Sequence, residues 1–318
     1  MAEEIGRRGF LRLAGAAAAS VGALGLSKPG LSWAQQKSKE APAAEVQGYA
    51  FVCGILKTQT QYLLKDTRVG TAFNIPVTFF VIKHGKEWVA FDTGNNAMVA
   101  KDPVAYWSKE VTDAYFPVMK DYEEFREQVG KKLGLAPKDF KAVILSHGHL
   151  DHSGAIDNFK GTQVPLYLQN KEIEVIKKAV ESGKKTAYIP DDFKVMNELN
   201  IKGIDGVFDV FGDQTVVAIP TPGHTPGHQS LLVKQTGGKS LLLAADAMYT
   251  VENMQDAIPP GLAWDIPQSL QALYVFKAMK LVGVEVVPSH DPGYWEAKPL
   301  APKTFETARG MVPLRAVG

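Results

Sequence analysis

Apolar positions follow two rhythms along this chain, and the switches between them mark out its elements. The run YAFVCGIL from Tyr49 is strand-like. VTFFVIKHGKEWVAFDTG (Val77 to Gly94) holds two β-rich runs around His84-Gly85-Lys86, a hairpin signal. From Asp121 to Leu133 the rhythm turns helical, with Tyr122, Phe125, Val129 and Leu133 on one face. The buried strand AVILS (Ala142 to Ser146) follows, then a helix over 171–183 that stops at Gly183. Near Gly206 strands resume as VFDVF, TVVAIPT, QSLLVKQ and SLLLAAD. The helix QSLQALYVFKAMKLVG (Gln268 to Gly283) and the short strand VEVVPSH complete the pattern. Strands, helices, strands and helices in turn predict a mixed α/β fold, two packed sheets with helices outside. Nothing in residues 46–318 looks like a repeat or a second linker, so one domain is expected there.

The segments before it have a different character. Residues 35–45, QQKSKEAPAAE, are polar and rich in Ala and Pro, and predict a flexible lead-in. In residues 1–34, Arg7-Arg8 is followed at once by an Ala/Gly-rich apolar stretch, Phe10 to Leu26. Ser32-Trp33-Ala34 then offers small residues at the two positions a signal peptidase reads. This predicts a twin-arginine signal peptide. A membrane anchor is the alternative, but a weakly hydrophobic stretch of about 17 residues sits at the lower edge of the spanning range. The twin-arginine export machinery is then a partner of the precursor, and the mature protein is periplasmic or secreted with no stable membrane span.

Charge and cysteine content narrow the chemistry further. The formal net charge is +1; cleavage after Ala34 removes four basic and two acidic residues and leaves −1. With no long basic run, nucleic acid is not an expected partner. The single cysteine, Cys53, excludes an intrachain disulfide framework, and metal ligands would have to come mainly from His and Asp.

They are available. SHGHLDHSG (Ser146 to Gly154) places His147, His149, Asp151 and His152 in one turn after a buried strand, where each ring nitrogen needs a partner. A metal ion satisfies them together. Two histidines two apart can share one ion, and the Asp and third His point to a second close by. His224 follows the strand TVVAIP in a Pro/Gly turn. Asp246 ends the strand LLLAAD, and His290 ends VEVVPSH. Asp246 is placed to bridge two ions, its alternative being a helix N-cap. Imidazole and carboxylate ligands suit two divalent ions, zinc foremost, with iron, cobalt or manganese also compatible. His228 is expected to be structural, and His84, in its hairpin turn, solvent-facing.

From Phe51 to His290 the chain resembles the metallo-β-lactamase superfamily, and within it the N-acyl homoserine lactonases, which quench bacterial quorum sensing. FDTG (Phe91 to Gly94), SHGHLDHSGA, TPGHTPGHQSL and ADAMYTVENMQD carry the likeness. The metal motif points to the superfamily; TPGHTPGHQSL and the spacing of Asp246 and Tyr249 are narrower. The resemblance implies a four-layer αββα sandwich with a two-metal site at the sheet edge. It assigns His147, His149 and His224 to one ion and Asp151, His152 and His290 to the other, with Asp246 bridging. It puts Tyr249 at the substrate carbonyl. The chain departs from that family in its export signal and in the composition of Tyr106 to Met119.

The implied reaction is opening of a lactone ring by hydroxide held between the ions. Tyr249 serves as oxyanion donor and Asp151 relays a proton. Tyr106, Trp107, Tyr115, Phe116, Met119 and Tyr122, with Met248, Met254, Leu262 and Trp264, supply candidate walls for an acyl-chain pocket. The same two-metal chemistry attacks phosphorus, so an organophosphate hydrolase is the main alternative. A class B β-lactamase is disfavoured by Asp246 standing where those enzymes carry cysteine. A glutathione thioesterase lacks its expected basic residues. A non-catalytic module that kept the fold would be expected to have lost some ligands.

Overall fold

The computed structural model describes residues 44–305. The expected signal segment 1–34 and most of the lead-in lie outside the described residues, as does 306–318. The chain begins with β1 (Val46–Gln59), which pairs antiparallel with β2 (Ala72–His84); β2 turns through the predicted hairpin into β3 (Glu87–Phe91). Ala97 to Phe125, with Pro103 and Pro117 within it, is too irregular in sequence for one helix. It forms α1 (Pro103–Trp107), α2 (Lys109–Ala114) and the short strand β4 (Phe116–Val118). α3 (Phe125–Leu133) is shorter than its periodicity predicted. Glu124 caps it by accepting the Glu127 N–H, so Tyr122 falls in a separate 3-10 turn and is exposed. β5 (Ala142–Ile144) and β6 (Pro165–Gln169) flank the histidine cluster in sequence. α4 (Asn170–Ser182) ends at Gly183 in the left-handed conformation, as expected of a C-cap glycine.

β7 (Asn200–Ile204) completes a seven-stranded sheet in the order β4-β1-β2-β3-β5-β6-β7. The second sheet contains β8 (Phe208–Asp209), β9 (Val216–Pro220), β10 (Gln229–Lys234), β11 (Ser240–Leu243) and β12 (Glu285–Val287), in the order β12-β11-β10-β9-β8. α5 (Val251–Asp256) and α6 (Ile266–Leu281) connect β11 to β12, and α7 (Pro292–Glu296) follows.

Period-2 alternation sorts the side chains into layers. Phe80 and Ile82 of β2 meet Leu241 and Leu243 of β11 in a core between the sheets. The intervening Phe79 and Val81 face the other way, onto Trp107, Phe125 and Val129 of the helices. Leu242 turns outward onto Leu273 and Phe276 of α6. Each fully buried Phe or Leu contributes roughly 1.5–3 kcal/mol. Helices, sheet, sheet and helices therefore stack as the four-layer αββα sandwich. Among the described residues no helix is long and apolar enough to cross a membrane.

Candidate metal centre and active site

The site assembles from strand ends. β3, β5 and β6 run parallel, as do β11 and β12, and open sheets bind ligands beyond the carboxyl ends of such strands. His147, His149, Asp151 and His152 follow β5; His224 follows β9, Asp246 β11 and His290 β12. All seven are buried, and they form two groups: His147, His149, His224 and Asp246, and Asp151, His152 and His290.

Asp246 spans the groups with its two oxygens. Oδ2 lies 3.6 Å from His147 Nε2 and 3.3 Å from His224 Nε2. Oδ1 lies 3.0 Å from His152 Nε2 and 3.1 Å from His290 Nε2. The residue before it, Ala245, has φ of 45°, a left-handed turn that costs a non-glycine residue about 1–2 kcal/mol. That turn brings the carboxylate back over the strand ends. The backbone N–H of Asp246 donates to His228 Nε2 at 3.1 Å, and Ser289 Oγ donates to its Oδ1 at 2.9 Å. His228 thus supports the backbone of Asp246 through the ring nitrogen that a metal would need.

Hydrogen bonds on the far side of each ring decide which nitrogen faces inward. His224 Nδ1 donates to the Leu262 carbonyl at 2.6 Å and His290 Nδ1 to the Pro76 carbonyl at 2.7 Å. His152 Nδ1 donates to Asp92 Oδ2 at 2.8 Å, and His147 Nδ1 to Ser146 Oγ at 2.9 Å. All four rings therefore turn Nε2 into the space occupied by the Asp246 and Asp151 carboxylates. His224 Nε2 stands 3.2 Å from His147 Nε2 and 2.9 Å from His149 Nδ1. His152 Nε2 is buried and faces the Asp246 and Asp151 carboxylates, at 3.0 and 3.8 Å. Five imidazoles and two carboxylates turned onto one another in a buried space form a set of ligand atoms that divalent ions favour. The residues fit two ions.

Protonation follows the same division. Burial drives His147 and His149 far below the ordinary imidazole range and His224 to about 4. Burial also pulls on His152 and His290, but Asp246 and Asp151 more than offset it and hold both above their usual value. Burial raises the Asp246 carboxyl, yet His152 and His290 outweigh it and leave it well below the carboxylate range. The aspartate-rich half of the centre thus draws positive charge.

Two supporting carboxylates were not singled out from sequence. Asp92, at the end of β3 in FDTG, has φ of 63°, strain of a kind that gathers at functional sites. It accepts the Ser146 N–H at 2.7 Å and Ser146 Oγ at 2.8 Å besides holding His152. Glu172, on α4, is buried and bonded to the loops of His147–His149 and His224. Each acts on residues tens of positions away, so its partners cannot be read from its neighbours, even though Asp92 stands within the quoted FDTG.

A cavity opens above the centre. His149, Asp151, Asp246, Tyr249 and His290 form its polar end; Leu56, Tyr62, Leu63, Ile75, Tyr115, Leu150, Ala187 and Leu262 line the rest. Tyr249 packs between the rings of His224 and His290, at centroid distances of 5.5 and 5.4 Å, with its hydroxyl 3.3 Å from His224 Nδ1. Burial first, then the Asp246 charge, keeps its phenol well above the ordinary value and so protonated.

Of the aromatic and apolar residues proposed as pocket walls, only Tyr115 and Leu262 line the cavity. Trp107 and Met119 are turned into the helix-side core, Met248 and Met254 into the core beneath α6. Phe116, Tyr122 and Trp264 face solvent, and the Tyr106 hydroxyl donates to Asp192 at 2.7 Å. Both stretches leave their strands as turns and short helices, so no period tells which side faces the cavity. The expectation for His84 is also corrected. It is buried, stacked on Phe211 at 3.8 Å and 2.7 Å from Asp213 Oδ2, because the β2–β3 hairpin folds against the 211–213 loop.

Comparison with known proteins agrees with this architecture. The family model of the metallo-beta-lactamase superfamily matches residues 73–290. The N-acyl homoserine lactonase AttM of Azorhizobium caulinodans is 32% identical over 266 residues, covering 82% of this chain and 99% of the relative. AttM of Rhizobium radiobacter is 33% identical over 278 residues, with the same coverage. A solved N-acyl homoserine lactone hydrolase, with the product N-hexanoyl-L-homoserine at its catalytic metal center, superposes with a TM-score of 0.72. It is 25% identical, and the match covers 83% of this chain and all of that one. The chain belongs to the metallo-beta-lactamase superfamily and, within it, to the family of the N-acyl homoserine lactonases.

Proposed function

We propose that this protein is an exported two-metal hydrolase that opens the lactone ring of N-acyl homoserine lactones. One observation carries the reading: two groups of inward-facing imidazole and carboxylate acceptors, joined by Asp246, form the floor of an apolar cavity edged by a protonated tyrosine. His147, His149 and His224 would hold one ion and Asp151, His152 and His290 the other, with Asp246 shared. When bound, the ions supply Lewis acidity for the carbonyl and lower the pKa of water far enough to give hydroxide at neutral pH. Zinc suits the donor set best.

The chain's own groups do the rest. The apolar wall from Leu56 to Leu262 takes the acyl chain and excludes water from it. Tyr249 donates its hydroxyl hydrogen to the carbonyl oxygen as negative charge grows there, a contribution of about 3 kcal/mol. Hydroxide adds to the carbonyl carbon, the ring C–O bond breaks, and the departing oxygen takes up a proton relayed through Asp151. No side chain becomes covalently attached to the substrate.

A panel of substrates tests the reading. With two equivalents of zinc per chain verified by elemental analysis, medium- and long-chain homoserine lactones are expected to exceed paraoxon, a cephalosporin and a glutathione thioester in kcat/KM. Paraoxon as the best substrate would replace the lactonase reading with an organophosphate hydrolase. Full activity with one ion or fewer would end the two-metal mechanism.

Export is the remaining element, and it rests on Arg7-Arg8 and the apolar stretch after them. Replacing both arginines with lysine keeps the charge but removes the pair that the twin-arginine receptor reads. The precursor should accumulate in the cytoplasm, with mature protein lost from periplasm and medium. Undiminished periplasmic yield would rule out this route.

A further inference from the structure

Two carboxylates brace the metal centre: Asp92, which holds His152 directly and reaches His147 through Ser146 Oγ, and Glu172, which sits on a helix that contributes no ligand. Glu172 lies in the first turn of α4, fully buried. Its Oε1 accepts the Gly148 N–H at 3.0 Å and the Tyr188 hydroxyl at 2.8 Å. Its Oε2 accepts the Gly227 N–H at 3.1 Å and Thr225 Oγ1 at 2.7 Å. Gly148 stands between His147 and His149, and Thr225 follows His224. One side chain therefore ties together the two loops that bear all three histidines of one group. The ring of Tyr188, oriented by the same carboxylate, meets the His149 ring edge to face at 4.6 Å.

Packing makes the same point independently. A Cβ on Gly148 would lie 2.7 Å from Ile176 Cγ1 and 2.9 Å from Tyr188; one on Gly227 would lie 2.2 Å from the Glu172 backbone nitrogen. Both loops are thus pressed onto α4 where only glycine fits. No contact of Glu172 reaches the second group. There Asp92 holds His152, and the Pro76 carbonyl holds His290.

We propose that Glu172 is a positioning residue for one of the two ions, the one taken by His147, His149 and His224, and that Asp92 is its counterpart for the other. Four donors converge on Glu172, and two of them are backbone N–H groups that cannot reverse. Glutamine in its place turns an amide NH2 toward one of those N–H groups and releases one loop. The ligand histidines then lose their shared alignment while the Asp92 side stays intact.

The proposal rests on the two-ion reading and is tested by competitive chelator titration of the cobalt- or zinc-loaded protein. The wild type should release its ions in two steps. In Glu172→Gln one step should weaken by about 10–100-fold, the usual cost of losing a support of this kind, with the other unchanged. In Asp92→Asn the opposite step should shift the more, with a smaller effect on the first, because Asp92 holds His152 directly but reaches His147 only through Ser146 Oγ. Tyr188→Phe removes one of the four donors and should move the same step as Glu172→Gln, but less. It also serves where the glutamine variant does not fold. Two steps weakened equally alongside a lower Tm, or folded variants with neither step moved, would overturn the role of Glu172. A wild type that holds fewer than two ions would end the two-ion reading itself, a separate outcome visible before any variant is made.

Discussion

Asp246→Ala is expected to leave a folded protein that holds neither ion firmly and has lost lactone hydrolysis by roughly 10³-fold or more. The magnitude follows from what the ions supply, several kcal/mol at about 1.4 kcal/mol per factor of ten. Asp246 reaches both halves of the centre with its own oxygens, within 3.0–3.6 Å of four imidazole nitrogens. On the proposed two-ion reading, removing it deletes a ligand from each ion and the negative charge balancing both. It also leaves the charge of His152 and His290 offset by Asp151 and, for His152, by Asp92. His84→Ala should retain both ions, since its partners are Phe211 and Asp213, away from the cavity. His228→Ala should fall between them, because it supports the Asp246 backbone without facing the ions. Elemental analysis and lactone kinetics on the three variants check the order. Equal metal loss in all three would show that the bridging assignment is wrong.

That ordering also explains how far the sequence could be read. The clustering of the seven candidate ligands was legible because they follow apolar strands, and the carboxyl ends of β5, β9, β11 and β12 meet at one edge once two sheets are stacked. The layers were legible for a similar reason: runs such as SLLLAAD are buried on both faces, as strands between a sheet and a helix layer must be. Supports at long range were not. Asp92 precedes His152 by 60 positions, and Glu172 reaches Gly148 and Gly227 across 24 and 55 positions. Nothing in the rhythm around Glu172 separates it from the solvated acidic residues of an ordinary helix. Its burial is decided by the two glycine loops that close over it. His84 failed for the inverse reason. A histidine in a hairpin turn is commonly exposed, and only tertiary packing places Phe211 beneath its ring.

Tyr249→Phe should separate chemistry from metal binding. The substitution removes one hydroxyl and keeps the ring that packs between His224 and His290. Both ions should therefore remain, and stability should change little. What disappears is a donor that burial and the Asp246 charge keep protonated through the physiological range. On the proposed reaction that donor matters most when charge has built on the carbonyl oxygen. The loss should thus appear in kcat and in kcat/KM together, with KM little changed. A single donor of this type is worth a fall of roughly 10- to 1000-fold. Paraoxon turnover, if measurable, should suffer less, because its developing charge sits on a phosphoryl oxygen that need not lie against the tyrosine. A fall confined to KM would make Tyr249 a binding residue for the ground state. Unchanged lactone turnover would reduce it to packing against its two histidines and return the oxyanion to the ions alone.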